Sequence, residues 1–296
     1  MQHLARFQPL RWDFSSLPAG AARGLPNVPA EVLAVRYPFR LLRYWFMHQM
    51  LLQHAHARSL PLSVAEVGVD EGQQLAFTSS AGDAARQSAW WYRWDAFDCA
   101  PSTEALTRQG YSNVVSVDLE RPDCRDVLAG RNYDVVIALH VLEHLHDPGT
   151  GVRHLASMVK PGGLLIGGCP VTPHVAQAWW QKRLRRRARP RGHVSVLSPQ
   201  RLRAMAIDAG LVPEWQGGAF LMRKRGFALE NQAWWLRLNL AFGALVPSWP
   251  GEIYFAWRRA PSAATHPQPM PAASSGRHLM SEPIWAPAVA ESSRPG

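Results

Sequence analysis

Short runs that are apolar on both faces recur along this chain, separated by stretches in which apolar residues return every three or four positions. The first run lies in Ser63 to Gly72, read S-V-A-E-V-G-V-D-E-G. Others are Tyr92 to Asp98, Asn113 to Val117, Tyr133 to Leu139, Leu164 to Cys169, Leu211 to Trp215 and Glu252 to Trp257. Runs of this kind suit strands buried on both sides. Between them, Pro101-Ser102-Thr103-Glu104 opens a helix that stops at Gly110, and a second helix runs from about Thr150 to Val159. Ser198-Pro199 caps a third that ends at Gly210, and Leu229 to Phe242 is amphipathic. Pro161-Gly162-Gly163 predicts a tight turn into the fifth strand. The alternation predicts an α/β protein built on a parallel sheet.

The flanks have a different pattern. Residues 1–35 contain Pro18, Gly20, Gly24, Pro26 and Pro29 without sustained periodicity and read as an extended N-terminal arm. The main domain is expected over 36–260 and begins with a helix, Phe39 to Gln53, that carries Phe39, Leu42, Phe46 and Met50 along one face. That face predicts docking on the core; a basic, aromatic-rich helix could also touch a membrane surface or cover a substrate pocket. Glu71 to Ala89 reads as a crossover helix with an insertion, and residues 261–296 as a disordered tail rich in Pro, Ser and Ala.

Composition narrows the class. Three cysteines without a C-x-x-C pair fit free thiols in a reducing compartment, so a cytoplasmic protein is expected. The longest apolar run, near Leu238 to Val246, is too short to cross a bilayer, so no transmembrane segment is expected. The net charge of +10 is concentrated in Lys182, Arg183, Arg185, Arg186, Arg187, Arg189 and Arg191. This block, 182–191, is either a solvated loop or a clamp for an anionic partner, a phosphorylated metabolite or RNA.

The chemistry collects at strand ends. Glu66 with its glycines, Asp98 and Asp118 end successive predicted strands. At an open parallel sheet, ligands bind outside the carboxyl ends of the strands. Three acceptors there suit a nucleoside, since a carboxylate can take both ribose hydroxyls or an adenine amino group. The segments E-V-G-V-D-E-G (66–72), F-D-C-A-P-S-T-E-A-L (97–106), V-V-S-V-D-L-E (114–120), Y-D-V-V-I-A-L-H-V-L-E-H-L (133–145), V-K-P-G-G-L-L-I (159–166) and G-H-V-S-V-L-S-P-Q-R-L (192–202) follow in order. In this the chain resembles the class I S-adenosylmethionine-dependent methyltransferases, notably the bacterial group that includes ubiquinone-biosynthesis methyltransferases.

The resemblance implies a Rossmann-like, seven-stranded, mostly parallel sheet with helices on both faces and the last strand antiparallel. It implies S-adenosyl-L-methionine as cofactor: Glu66, Gly68 and Gly72 at its methionine end, Asp98 on its ribose, Asp118 and Leu119 at its adenine, and His140 beneath the sulfonium. Asp70 stands where the family usually has glycine; its carboxylate would either bond the cofactor's ammonium group or narrow the loop. Glu143, His144 and His193 are the candidate bases for an acceptor that must lose a proton.

His140, Glu143 and His144 also spell H-x-x-E-H, a zinc-peptidase pattern only within a helix, which a strand end does not provide. Glu143, His144 and His193 would otherwise hold a divalent cation, or Glu143 and His144 simply start the next helix and bond neighbouring backbone; no metal is assigned. The expected function is methyl transfer to a hydroxyl or similar nucleophile of a small or lipid-linked metabolite. An RNA methyltransferase and a non-catalytic binding module of the same fold are the alternatives.

Overall fold

Each strand sends alternate residues to opposite sides, and here both sides are apolar. In the computed structural model, which describes residues 6–17, 25–59, 61–81, 90–185, 192–222, 227–249 and 251–261, this produces two cores separated by one sheet. Val64, Val135, Ile137, Leu164 and Ile166 enter one core; Ala65, Val136, Ala138 and Leu165 enter the other.

The strands are β1 (Leu62–Val67), β2 (Trp91–Asp98), β3 (Asn113–Ser116), β4 (Tyr133–Leu139), β5 (Val159–Val171), β6 (Leu211–Gly218) and β7 (Gly251–Arg259). The helices are α1 (Ala30–Leu33), α2 (Leu42–Arg58), α3 (Gln73–Ser80), α4 (Thr103–Gln109), α5 (Cys124–Leu128), α6 (Pro148–Ser157), α7 (Gln177–Arg185), α8 (Pro199–Asp208) and α9 (Ala233–Leu245). The sheet runs β3-β2-β1-β4-β5-β7-β6. Strands β1 to β5 pair in parallel, and β7 is antiparallel to both β5 and β6. This is the expected Rossmann-like seven-stranded sheet with its last strand reversed. The direction of the strand order changes between β1 and β4, which opens the crevice where doubly wound sheets take ligands.

Local signals placed several helix ends closely. The Ser198 side chain accepts from the Arg201 N–H, and Gly110 closes α4 at φ +104. The start expected at Thr150 moves to Pro148, because the Asp147 carboxylate caps the Thr150 amide.

Three expectations differ in detail. Pro161-Gly162-Gly163 does not separate a helix from a strand but lies inside β5, with Gly162 at φ +76 beside a register shift. The basic block, expected in a loop, is helical at its start: Lys182, Arg183 and Arg185 lie in α7, and 186–191 lie outside the described residues.

The arm expected over 1–35 is the third. Gln8–Arg11 form a 3-10 helix, Ala30–Leu33 form α1, and Trp12, Phe14, Leu17 and Val32 are buried in the first core. The Trp45 indole N–H donates to Asp13 O at 3.0 Å. Irregular spacing hid this packing: scattered aromatics anchor the segment without any helical or strand period. The helix α2 docks as its apolar face predicts, burying Trp45, Phe46, Met47, Met50 and Leu51, with Phe46 stacked on Tyr254 at 4.2 Å. Met1–Ser262 cluster as one compact unit; the tail expected over 261–296 lies, from residue 262 on, outside the described residues. Among the described residues no helix is long and apolar enough to cross a membrane.

Candidate active site

The loops after β1 and β4 meet at the crevice. β1 is followed by Gly68, whose N–H donates to Phe97 O at 2.8 Å, and the backbone turns through left-handed conformations at Gly68 (φ +73), Asp70 (φ +51) and Gly72 (φ +75). A Cβ on Gly68 would collide with Val141 Cγ2 from the β4 loop. Gly68→Ala therefore forces a left-handed alanine, costing about 1–2 kcal/mol, and pushes the two loops apart. A fall in melting temperature of about 2–8 °C, with weaker nucleoside binding, is the expected result in a thermal melt with and without ligand; an unchanged melt would mean that the loop tolerates a wider turn.

Asp98, half-buried at the end of β2, accepts from Ala100 N–H at 3.0 Å on Oδ1 and from Asp70 N–H at 3.3 Å on Oδ2. Two backbone amides thus aim the carboxylate while leaving it further acceptor capacity. Burial, with Glu71 and Asp98 adding to it, raises the pKa of the Asp70 carboxyl. Asp118 is exposed just beyond β3, its Oδ1 accepting from Glu120 N–H at 3.0 Å, and Leu119 beside it is buried.

Glu66 is placed differently from a ligand-lining residue. It is buried within β1, and its Oε2 accepts from the Trp94 indole at 3.0 Å and the Tyr111 hydroxyl at 2.7 Å. Burial pushes its carboxyl up to about 7, against those two hydrogen bonds. A carboxyl raised in this way favours the folded state while protonated. Its contribution is complete below the unfolded value and is lost as pH rises through about 7. Glu66→Gln keeps an acceptor for both donors, so its stability advantage over the parent should grow by about 2 kcal/mol between pH 5 and pH 8 in denaturant melts. A constant difference would mean that Glu66 is ionised at both pH values.

On the β4 side, His140 occupies a left-handed conformation (φ +57), uncommon for a residue with a side chain and a mark of a constrained site. Its Nδ1 lies 2.8 Å from Glu143 Oε1, and its Nε2 lies 3.5 Å from Glu252 Oε1. Burial works to lower the imidazole pKa, but the hydrogen bond to Glu143 and the nearby Glu252 carboxylate outweigh it and hold it above the ordinary value. Glu252 also pairs with Arg43 at 2.6 Å and accepts from the Tyr254 hydroxyl at 2.6 Å. Arg43 on α2, His140 and Glu143 after β4, and Glu252 on β7 therefore form one charged network, with both glutamates buried and Arg43 and His140 half-buried.

Glu143 is 1% exposed, and its Oε2 has no hydrogen-bond partner among the described residues. Its backbone carbonyl accepts from Val194 and Ser195 N–H, which holds the 192–197 segment against it. His144 and His193 stand beside it with rings 5.0 Å apart, and the three side chains place ligand atoms within 4.8 Å of one another. This set could hold a divalent cation or serve as a proton acceptor. Burial lowers the pKa of the His193 imidazole, which keeps it neutral near pH 7. Because Leu142–His144 is a 3-10 turn and His140 is not helical, H-x-x-E-H lacks the helical geometry of a zinc-peptidase site.

Residues 46–214, more than half of the chain, match the family described as methyltransferase domain. The chain belongs to the class I S-adenosylmethionine-dependent methyltransferase family. Over 58 residues it is 41% identical to the ubiquinone biosynthesis O-methyltransferase of Marinobacter nauticus, a match that spans 18% of this chain and 24% of that protein. Among solved structures, it is similar to an O-methyltransferase family protein from Burkholderia thailandensis, with 15% identity, a TM-score of 0.46, and 76% of this chain and 59% of that one covered. It is also similar to the magnesium protoporphyrin IX methyltransferase of Synechocystis with bound S-adenosylhomocysteine, with 15% identity, a TM-score of 0.46, and 87% and 94% covered.

The sequence reading missed Arg43 as a partner of the site, and with it Glu252 and Tyr254. These lie about 200 residues from α2 in the chain, and only the pairing of β7 with β5 brings them under His140. A glutamate at the start of an otherwise apolar strand was the available signal.

Proposed function

We propose that this methyltransferase-family chain transfers a methyl group from S-adenosylmethionine to a hydroxyl or similar nucleophile of a small or lipid-linked metabolite. The observation that carries the reading is the convergence at the switch-point crevice of the left-handed glycine loop, the amide-aimed Asp98 and the His140–Glu143 pair. The residues fit the cofactor. Gly68 and Gly72 supply the left-handed turns that let the loop backbone approach a ligand, Asp98 has acceptor capacity for ribose hydroxyls, and Asp118 with Leu119 would flank the adenine. Glu66 supports this loop from below, since its Oε2 is committed to Trp94 and Tyr111.

When bound, S-adenosylmethionine supplies an electrophilic methyl carbon whose bond to sulfur breaks, with the pair kept on sulfur, as the acceptor oxygen bonds to it. The chain's own work is alignment and proton removal. Holding acceptor and methyl group in line is worth up to about 7–11 kcal/mol in favourable cases. Glu143 Oε2 is the acceptor for the hydroxyl proton, with His193, neutral at pH 7, beside it to pass the proton on.

Calorimetric titration with S-adenosylhomocysteine tests the reading. One saturable site is expected, and at a hundredfold excess over Kd the ligand should stabilise the fold by about 2.7 kcal/mol. Absence of both heat and thermal stabilisation at millimolar ligand would leave the fold as a non-catalytic module.

A further inference from the structure

A second cavity begins where the proton acceptor ends. A space of about 300 Å³ is lined by Glu143 and His193, by Trp180 and Arg183 of α7, and by the apolar Pro170 and Leu197. Trp180 is 41% exposed and packs edge-to-face on Trp179 at 4.8 Å. The Arg183 guanidinium lies 5.6 Å and 5.7 Å from the two indole centroids. Among the described residues Arg183 has no ion pair, although a guanidinium readily finds a carboxylate when one is in reach. The cavity thus holds a proton acceptor, an accessible indole and an unpaired cation fixed against that indole.

We propose that Trp180 and Arg183 are the acceptor-recognition residues of the methyl-transfer site, and that the acceptor is a planar aromatic hydroxyl compound carrying an anionic group. This rests on the methyltransferase reading of the crevice. An aromatic ring entering the cavity gains an offset or edge-on contact with Trp180. An anionic substituent gains a charge-assisted, forked hydrogen bond from Arg183, already held in place by the two indoles. Anchoring the anion at Arg183 directs the far end of the ring, with its hydroxyl, toward Glu143 and His193. There the hydroxyl proton passes to Glu143 as the oxygen bonds to the methyl carbon, and the carbon–sulfur pair leaves with the sulfur of S-adenosylhomocysteine. A volume of this size takes one small ring system. The cations of α7 divide their roles: Arg183 lines the cavity, whereas Lys182 is exposed and does not line it.

The test uses two matched probes, 6-hydroxy-2-naphthoate and 2-naphthol, titrated into the full chain saturated with S-adenosylhomocysteine. The parent protein should bind the naphthoate at least about tenfold more tightly than the naphthol, as one charge-assisted bond implies. Arg183→Gln should abolish that preference by weakening the naphthoate alone, Arg183→Lys should restore part of it, and Trp180→Leu should weaken both probes. S-Adenosylhomocysteine affinity should stay within about twofold throughout, since α7 is not assigned to the cofactor crevice. Equal binding of the two probes by the parent, equal weakening of both by Arg183→Gln, or binding of neither would overturn the acceptor assignment while leaving the cofactor site standing. Failure of the parent to bind S-adenosylhomocysteine would instead remove the methyltransferase reading and this inference with it.

Discussion

Asp98→Ala is expected to weaken S-adenosylhomocysteine binding by about 100-fold or more while the protein stays folded. The carboxylate is half-buried at the end of β2 and held by the amides of Ala100 and Asp70. Hydrogen bonds to a charged group contribute about 1.5–3 kcal/mol each, so losing two ribose contacts costs about 3 kcal/mol or more. Each 1.4 kcal/mol is a factor of ten. Asp98→Asn retains one acceptor oxygen and should fall between the two. Calorimetry gives the affinities, and a melt without ligand shows whether the fold is intact. Retained affinity in a folded Asp98→Ala protein would move the ribose elsewhere.

Glu143→Gln is expected to lower the rate of methyl transfer by about 10²–10⁴-fold, the usual range for removing a positioned base, with cofactor affinity unchanged within about twofold. Its Oε1 is occupied by His140, and its Oε2 is buried without a partner among the described residues, in the lining of the 300 Å³ cavity. Glutamine preserves shape and the contact with His140, so the loss isolates the proton acceptor from the packing. S-Adenosylhomocysteine release in the presence of saturating acceptor measures it. A parental rate in a cofactor-binding Glu143→Gln protein would transfer the role to His193, for which His193→Gln is the matching variant.

The fold was largely legible because its signals are local. Tyr133 to Leu139 is apolar on both faces and forms β4 over the same residues, and the Ser198 cap starts α8 as its side chain requires. The reversal of β7 was legible only through resemblance, since no local pattern states the direction in which a strand is paired. The candidate site was legible where residues follow strand ends: Gly68, Asp98, Asp118 and His140 all stand there. It was illegible where tertiary packing decides. Glu66 looked like a lining residue until Trp94 and Tyr111 closed around it. The Arg43–Glu252 pair joins two ends of the chain that no spacing connects. Arg183 was one cation in a dense run, and only its position over Trp179 and Trp180 singles it out. The N-terminal segment was misleading for the same reason: Trp12, Phe14 and Leu17 follow no period, yet all are buried in the core.

The most direct test of the central claim is a crystal structure of the full chain grown with S-adenosylhomocysteine. The ligand is expected across the carboxyl ends of β1, β2, β3 and β4, with both ribose hydroxyls on Asp98, the adenine beside Asp118 and Leu119, and the sulfur above His140 facing Glu143. Ligand bound away from the crevice, or a crevice left empty at saturating ligand, would contradict it.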